Sequence, residues 1–246
     1  MNFLYFLFGT IFGSFYNVII FRLPINKSII TPRSHCYSCK KILPFYLNIP
    51  ILSYIFCLGK CFFCKTKISY QYPLIEIVTG ILWYIAFNNY TLSQSILFIW
   101  ITGILSIIAL IDLKHFIIPT SLILSAFIGL LIFNLYNINT ISHSIYGLLF
   151  GLLYLGGVAL FSSILLKKQT LGFGDILLII ILGGWLGLTK TALTIFFSAL
   201  CALIVWLIIS FKNGFKSNRK LPFGFYLSIV GIIIYIIEID NSLLFF

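Results

Sequence analysis

The chain has 246 residues, a net charge of +11 and a mean hydropathy of +1.13, with 61% hydrophobic and only 9% charged residues. Soluble domains carry about 45–50% apolar and about 25% charged residues, so this excess excludes a soluble enzyme, a nucleic-acid binder and a disordered chain. The composition is that of an all-α polytopic membrane protein, whose basic residues report the placement of its loops.

A helix needs about 20 mainly apolar residues to cross the hydrocarbon. The apolar runs predict eight transmembrane helices, at 2–21, 73–89, 96–113, 117–136, 141–166, 173–188, 191–211 and 222–239. The first has no basic n-region and no small-residue cleavage site, and it ends in Phe21-Arg22-Leu23-Pro24. It reads as a retained anchor rather than a removed signal peptide. The sixth is the shortest. Its apolar stretch, Ile176 to Leu188, is 13 residues, or about 20 Å at about 1.5 Å per residue. It needs the preceding Gly172-Phe-Gly-Asp175 or cover from its neighbours to reach across.

Charge placement predicts the orientation. With the N-terminus outside, 15 of the 16 Lys and Arg residues fall inside and only Lys190 falls outside, as the positive-inside rule demands. The segment 22–72 then lies in the cytoplasm, with eight basic residues and no acidic one. Its charge suits anionic lipid. The expected organisation is a first helix at 1–21, a cytoplasmic loop at 22–72 and a seven-helix membrane domain at 73–246. No internal repeat stands out.

The loop holds Cys36-Tyr-Ser-Cys39 and Cys61-Phe-Phe-Cys64, two C-x2-C pairs separated by 21 residues. Each pair can place two thiolates on one ion, and two pairs complete a tetrahedral zinc site. Two disulfides are the alternative, which a reducing cytosol disfavours. Four protein ligands close the site, so its role is to fold the loop. Cys57 and Cys201 fit neither pair, and His35 beside Cys36 is an alternative ligand.

There are only five acidic residues. Glu238 and Asp240 fall at the outer end of the last helix, and Glu76 near the start of the second. Asp112 closes the apolar run from Ile104, and Asp175 opens the run from Ile176. Ionisable groups at membrane depth are costly and usually functional. Two carboxylates brought together share a proton, so that one can activate water while the other assists the carbonyl oxygen and the leaving amine. The structural alternative pairs each Asp with Lys114, Lys167 or Lys168, or makes it a helix cap.

In order along the chain, these residues resemble type IV prepilin peptidases, the leader peptidase/N-methyltransferases. The carriers are Gly13-Ser-Phe-Tyr-Asn17 with Arg22 and Pro24, the Cys quartet with Gly59, Ile68-Ser-Tyr-Gln-Tyr72-Pro73-Leu-Ile-Glu76, Asp112 with Ile118-Pro119, Gly172-Phe-Gly174-Asp175, and Leu221-Pro222-Phe223-Gly224. The resemblance implies a membrane aspartic endopeptidase that cuts the leader from a type IV prepilin or pseudopilin at the cytoplasmic face. It implies Asp112 and Asp175 as the catalytic pair, and Cys36, Cys39, Cys61 and Cys64 as ligands of a structural Zn2+. It further implies N-methylation from S-adenosylmethionine, with Gly59 and Glu76 as associated residues. The chain departs from the pattern at Gln71, Thr120, Leu177 and Phe225. A basic leader gains nothing from a basic loop, so the prepilin's apolar helix is the expected recognition element. A transporter using the two aspartates as a proton or cation site is the alternative. A zinc-stabilised assembly subunit is a further one, and a presenilin-like protease would need neither the opening motif nor the quartet.

Overall fold

The computed structural model describes residues 2–167, 171–215 and 220–237. Glu238, Asp240 and Lys168, weighed above, lie outside them. The described residues are helical, apart from loops and two isolated β-bridges. The chain divides into two compact units, Met1–Gly103 and Ile104–Phe246.

The first unit is built on α1 (Asn2–Arg22) and α3 (Gln71–Asn89), joined by the loop that contains the short helix α2 (Leu52–Phe56). Without a hydrophobic drive between helices in lipid, small residues and aromatic contacts do the joining. A side chain on Gly9 would strike Gly80 Cα and the Thr79 carbonyl at 2.8 Å, and one on Gly13 would strike Glu76 Cα at 2.8 Å. Along the same pair of helices, rings stack in a ladder: Tyr5 on Phe87 at 4.4 Å, Phe12 on Trp83 at 4.8 Å and Phe21 on Tyr72 at 5.2 Å. The descending partner numbers fix α1 and α3 as antiparallel neighbours.

The unit boundary falls within α4 (Leu92–His115). In the second unit α4 is followed by α5 (Thr120–Tyr136), α6 (Ile141–Leu166), α7 (Phe173–Asn213) and α8 (Phe223–Ile236). Pro119 and Pro222 stand immediately before α5 and α8, where the missing N–H costs no helical bond. The six expected spans other than 173–188 and 191–211 correspond one to one with α1, α3, α4, α5, α6 and α8.

Those two, separated in the sequence reading by Lys190, form the single element α7 of 41 residues. Straight, it would be about 60 Å long, twice the hydrocarbon thickness. It is broken at one residue, Gly187, whose φ of 74° and ψ of 179° are open to glycine. The segments on either side are 173–186 and 188–213. Just past the break, the Thr191 hydroxyl donates to the Gly187 carbonyl. A stop of one residue leaves no polar loop for composition to reveal.

Helices α6 and α7 meet along a glycine seam. Gly147 and Gly151 on α6 are four apart, as are Gly183 and Gly187 on α7. A side chain on Gly147 would overlap the Gly183 carbonyl and the Gly187 backbone, and one on Gly151 would meet the Ile179 carbonyl at 3.0 Å. The backbones therefore touch directly, the small-xxx-small geometry of membrane helix pairs. Trp185, two residues from Gly183 and so turned away from the seam, stacks on Tyr235 at 4.3 Å, which ties α8 to another side of α7.

Candidate functional site

The cysteine loop is two copies of one turn. Cys36 N–H donates to the Lys41 carbonyl at 3.0 Å and Cys61 N–H to the Thr66 carbonyl at 2.8 Å; Lys40 and Lys65 N–H return to the Cys36 and Cys61 carbonyls at 3.0 Å. The bridges His35–Ile42 and Lys60–Lys67 close the two turns. Lys40 and Lys65 both have positive φ, 58° and 59°. Every one of these features recurs at an offset of 25 residues, so the loop does contain an internal repeat. Only Cys-x-x-Cys-Lys is shared in letters, and the remaining likeness is carried by the backbone.

The two turns bring Cys36, Cys39, Cys61 and Cys64 together, with all four Sγ atoms within 4.8 Å of one another and Cys36 and Cys64 Sγ 3.7 Å apart. A tetrahedral ion with Zn–S bonds of about 2.3 Å needs S···S edges of about 3.8 Å. The donor set fits a metal such as zinc. All six cysteines are free thiols, so the disulfide alternative is not realised. The Thr66 hydroxyl, 3.1 Å from Cys64 Sγ, and the Thr66 backbone push that thiol down to about 6, ready as thiolate at neutral pH. Cys57, Cys201 and His35 are outside the cluster; His35 Nδ1 lies 2.9 Å from the Arg33 carbonyl.

Glu76 is 6% exposed, and its Oε2 accepts the Ile51 N–H at 2.7 Å. Ile51 has φ 60° and ψ −53°, and its turn is closed by Leu52 N–H on the Pro50 carbonyl. This is the rare strained form of γ-turn, which persists only when its surroundings hold it. Ser14 also hydrogen-bonds the Glu76 carboxylate. Gly59, at φ 66°, leaves room for the Tyr54 ring, since a side chain there would meet Tyr54 Oη at 2.8 Å. Gly59 and Glu76 thus both act on α2, one through Tyr54 and the other through the residue that opens it. Asn17, 1% exposed, donates to the Tyr72 carbonyl at 3.2 Å. The opening motif is therefore a dock for the segment that ends at Glu76.

In the second unit, Asp112 sits in the last turn of α4 and Asp175 in the first turn of α7. Asp112 is 6% exposed. Its Oδ2 accepts the Phe225 N–H at 3.0 Å, and the Gly224 N–H bonds the same carboxylate. Gly224 is needed here, because a side chain would meet Asp112 Oδ2 at 3.0 Å and Ile118 Cδ1 at 2.8 Å. Ile118 also packs on Gly174, where a side chain would meet its Cβ at 2.9 Å. Asp175 lies within electrostatic reach of Asp112 and takes a backbone hydrogen bond from Gly172. Three separate stretches, around Asp112, Asp175 and Gly224, converge on one site. Sequence reasoning missed the roles of Gly224 and Phe225. The signal available was a Pro-Phe-Gly at a helix start, where unpaired N–H groups collect. The helix-cap alternative weighed for the aspartates is realised at Asp112, and it coexists with the approach of Asp175.

The description "Bacterial Peptidase A24 N-terminal domain" matches residues 7–90 and "Type IV leader peptidase family" matches residues 96–207. The prepilin leader peptidase/N-methyltransferase of Pseudomonas aeruginosa is 30% identical over 92% of this chain and 86% of its own length. The chain belongs to the type IV leader peptidase family. A Neisseria gonorrhoeae prepilin leader peptidase/N-methyltransferase is 31% identical over 92% of this chain and 87% of that relative. The type 4 prepilin-like proteins leader peptide-processing enzyme of Escherichia coli is 31% identical over 91% and 89%. No solved structure matches the chain. With four helices long and apolar enough to cross a membrane and further apolar helices beside them, this family member is an integral membrane protein.

Proposed function

We infer that this protein is a membrane aspartic endopeptidase that cuts the leader from type IV prepilin-like proteins and N-methylates the new N-terminus. The observation that carries this is the convergence of Asp112, Asp175 and the start of α8 in a chain of the leader peptidase family. In the proposed reaction the pair holds one proton between two carboxylates. One carboxylate takes a proton from water as the water oxygen attacks the peptide carbonyl, and the other gives its proton to the carbonyl oxygen. Collapse breaks the C–N bond, and the proton taken from water passes to the leaving amine. A transporter reading accounts for two membrane acids but for neither the Cys quartet nor the family.

The methyl donor is proposed to be S-adenosylmethionine, with Gly59 and Glu76 shaping the loop that serves that step. Their support is the shared hold on α2. The ion at Cys36, Cys39, Cys61 and Cys64 is proposed to be Zn2+, closed off by four thiolates and holding the two turns together. Co-expression with a tagged prepilin tests the whole reading. A shortened pilin whose new N-terminus carries one added methyl is the expected product, and an unshortened prepilin beside stable enzyme would rule the reading out.

Orientation is a further part of the proposal: N-terminus outside, with 22–72 and the aspartates at the cytoplasmic face of the inner membrane, on the strength of the 15-to-1 basic split. In a folded background lacking the native cysteines, a membrane-impermeant thiol reagent is expected to miss reporters at 24–34 and label those at 88–95. The opposite pattern would invert the topology.

A further inference from the structure

Between the two cysteine turns the chain carries no charge. Lys40 and Lys41 precede, Lys60 follows, and the 18 residues 42–59 between them are uncharged. Within this run Phe45, Phe56 and Leu58 are 84%, 82% and 84% exposed, and Tyr46, Ile49, Leu52 and Ile55 are exposed as well. Tyr46, Ile49, Leu52 and Phe56 line one apolar cavity between the 3₁₀ turn Phe45–Asn48 and α2, so the side chains form a single patch. Contiguous apolar patches are rare on surfaces that face water and mark a membrane or a partner.

The run does not cross the bilayer. Its two ends return to one place, because the Sγ atoms of Cys36, Cys39, Cys61 and Cys64 lie within 4.8 Å of one another. Its middle, Ile51, is tied to a membrane helix, with its N–H 2.7 Å from Glu76 Oε2. Glu76 lies five residues beyond Gln71, where α3 begins, or about 7–8 Å along the axis at about 1.5 Å per residue. On α1 it lies against Gly13, nine residues before Arg22 at the helix end, or about 13–14 Å. Ile51 is therefore held below the helix ends, near the depth of about 5–10 Å that interfacial segments reach. Backbone entering lipid must satisfy its own polar groups. The N–H groups of Leu47, Leu52, Ser53, Ile55, Cys57 and Leu58 all donate to carbonyls inside the run, and Pro44 and Pro50 have none to satisfy.

We propose that 42–59 is an interfacial segment docked on the lipid of the leaflet that α1 leaves and α3 enters. Phe45, Phe56 and Leu58 enter the acyl region, and Lys40, Lys41 and Lys60 stand at the level of its anionic headgroups. Charge favours this occupant. From 22 to 72 eight basic residues occur without an acidic one, and basic residues beside a leaflet are drawn to its anionic lipid. Continuity favours it too. Exposed apolar surface resumes on α3 around the tether, at Leu74, Ile77 and Val78. The leaflet is the cytoplasmic one in the orientation proposed above; the docking itself is independent of sidedness.

The test uses full-length enzyme in vesicles of phosphatidylethanolamine and phosphatidylglycerol, with a benzophenone amino acid in place of Phe45 or Phe56. Sites this exposed accept the change without repacking. On irradiation the crosslinked chains are expected to gain the mass of one phospholipid, with or without added prepilin. An adduct with prepilin, with a second copy or within the chain would overturn the proposal by making the patch a protein interface. Absence of any adduct would overturn it as well. If the variants do not accumulate, wild type carries the test. A photoactivatable acyl chain in the same vesicles is expected to label the peptide 42–59 alongside α1 and α3, and label confined to the helices would refute the docking. Reporters at 24–34 found outside would invert the orientation while leaving lipid adducts at 45 and 56, so the two failures are told apart.

Discussion

Replacing either Asp112 or Asp175 by Asn leaves a folded membrane protein that does not shorten prepilin, with cleavage down by roughly 10²–10⁴-fold or more. The base and the acid work as a unit, so losing one removes the benefit of the other and the two single variants fall nearly as far as the double. Folding survives for a reason visible at Asp112. The carboxylate caps α8 through the Phe225 and Gly224 N–H groups, and the Asn amide oxygen occupies the same place and accepts the same bonds, as Asn does at helix starts generally. If the aspartates were only structural, the Asn variants would keep their activity in whatever fraction folded. Glu76→Gln is the internal control. Its amide oxygen can still accept from Ile51, so cleavage is expected to be spared even if methylation, for which Glu76 is proposed, suffers. Normal processing by folded Asp112→Asn or Asp175→Asn would remove both residues from the chemistry.

Cys61→Ser and Cys36→Ser are expected to empty the metal centre. Purified wild type should hold about one zinc per chain, as a closed four-sulfur site requires, and each variant close to none. The loss is steep because, beside the sulfurs, what joins the two turns is weak: Lys41 over the Phe63 ring at 5.1 Å and Cys36 Sγ 4.0 Å from the Thr66 hydroxyl. Each is closed by short backbone bonds of its own, and an ion on the four sulfurs is the strong link from one to the other. In zinc-finger peptides such an ion supplies about 10–16 kcal/mol of apparent folding energy. The expected consequence is rapid proteolysis between 22 and 72, while α1 and α3 stay paired through the glycine contacts and stacked rings. Chelation of the wild type should give the same cleavage pattern, reversed by added zinc. An active wild type without zinc would refute the assignment.

The sequence was most readable where chemistry depends on spacing along the chain. Two C-x2-C pairs announce a metal site because a turn of that length sets two sulfurs on one ion. Apolar runs announce spans because the bilayer has a fixed thickness. Reading faltered where a feature depends on one residue or on long-range closure. Charge places the break in α7 at Lys190, whereas the helix yields at Gly187, which composition treats as neutral. The donors to Asp112 lie 113 residues away at Phe225 and are main-chain atoms, which no side-chain pattern encodes. Ile51 reads as one more apolar residue, yet its positive φ and its bond to Glu76 make it the point where the loop is fastened.

The seam between α6 and α7 bears on how variation in this chain should be interpreted. Helix α6 carries four glycines, and by frequency alone they are equals. Gly147 and Gly151 lie in the seam, whereas nothing stands within 4 Å of where a side chain on Gly157 would point, and Gly156 meets only a Leu152 methyl at 4.0 Å. Alanine at Gly157 should firm the helix by about 0.5–1 kcal/mol, while the same change at Gly147 pries two backbones apart. In a saturation library under selection for prepilin cleavage, one helix would then show barren and permissive glycines ten residues apart. Breeding a sturdier version of this protein starts at Gly156 and Gly157.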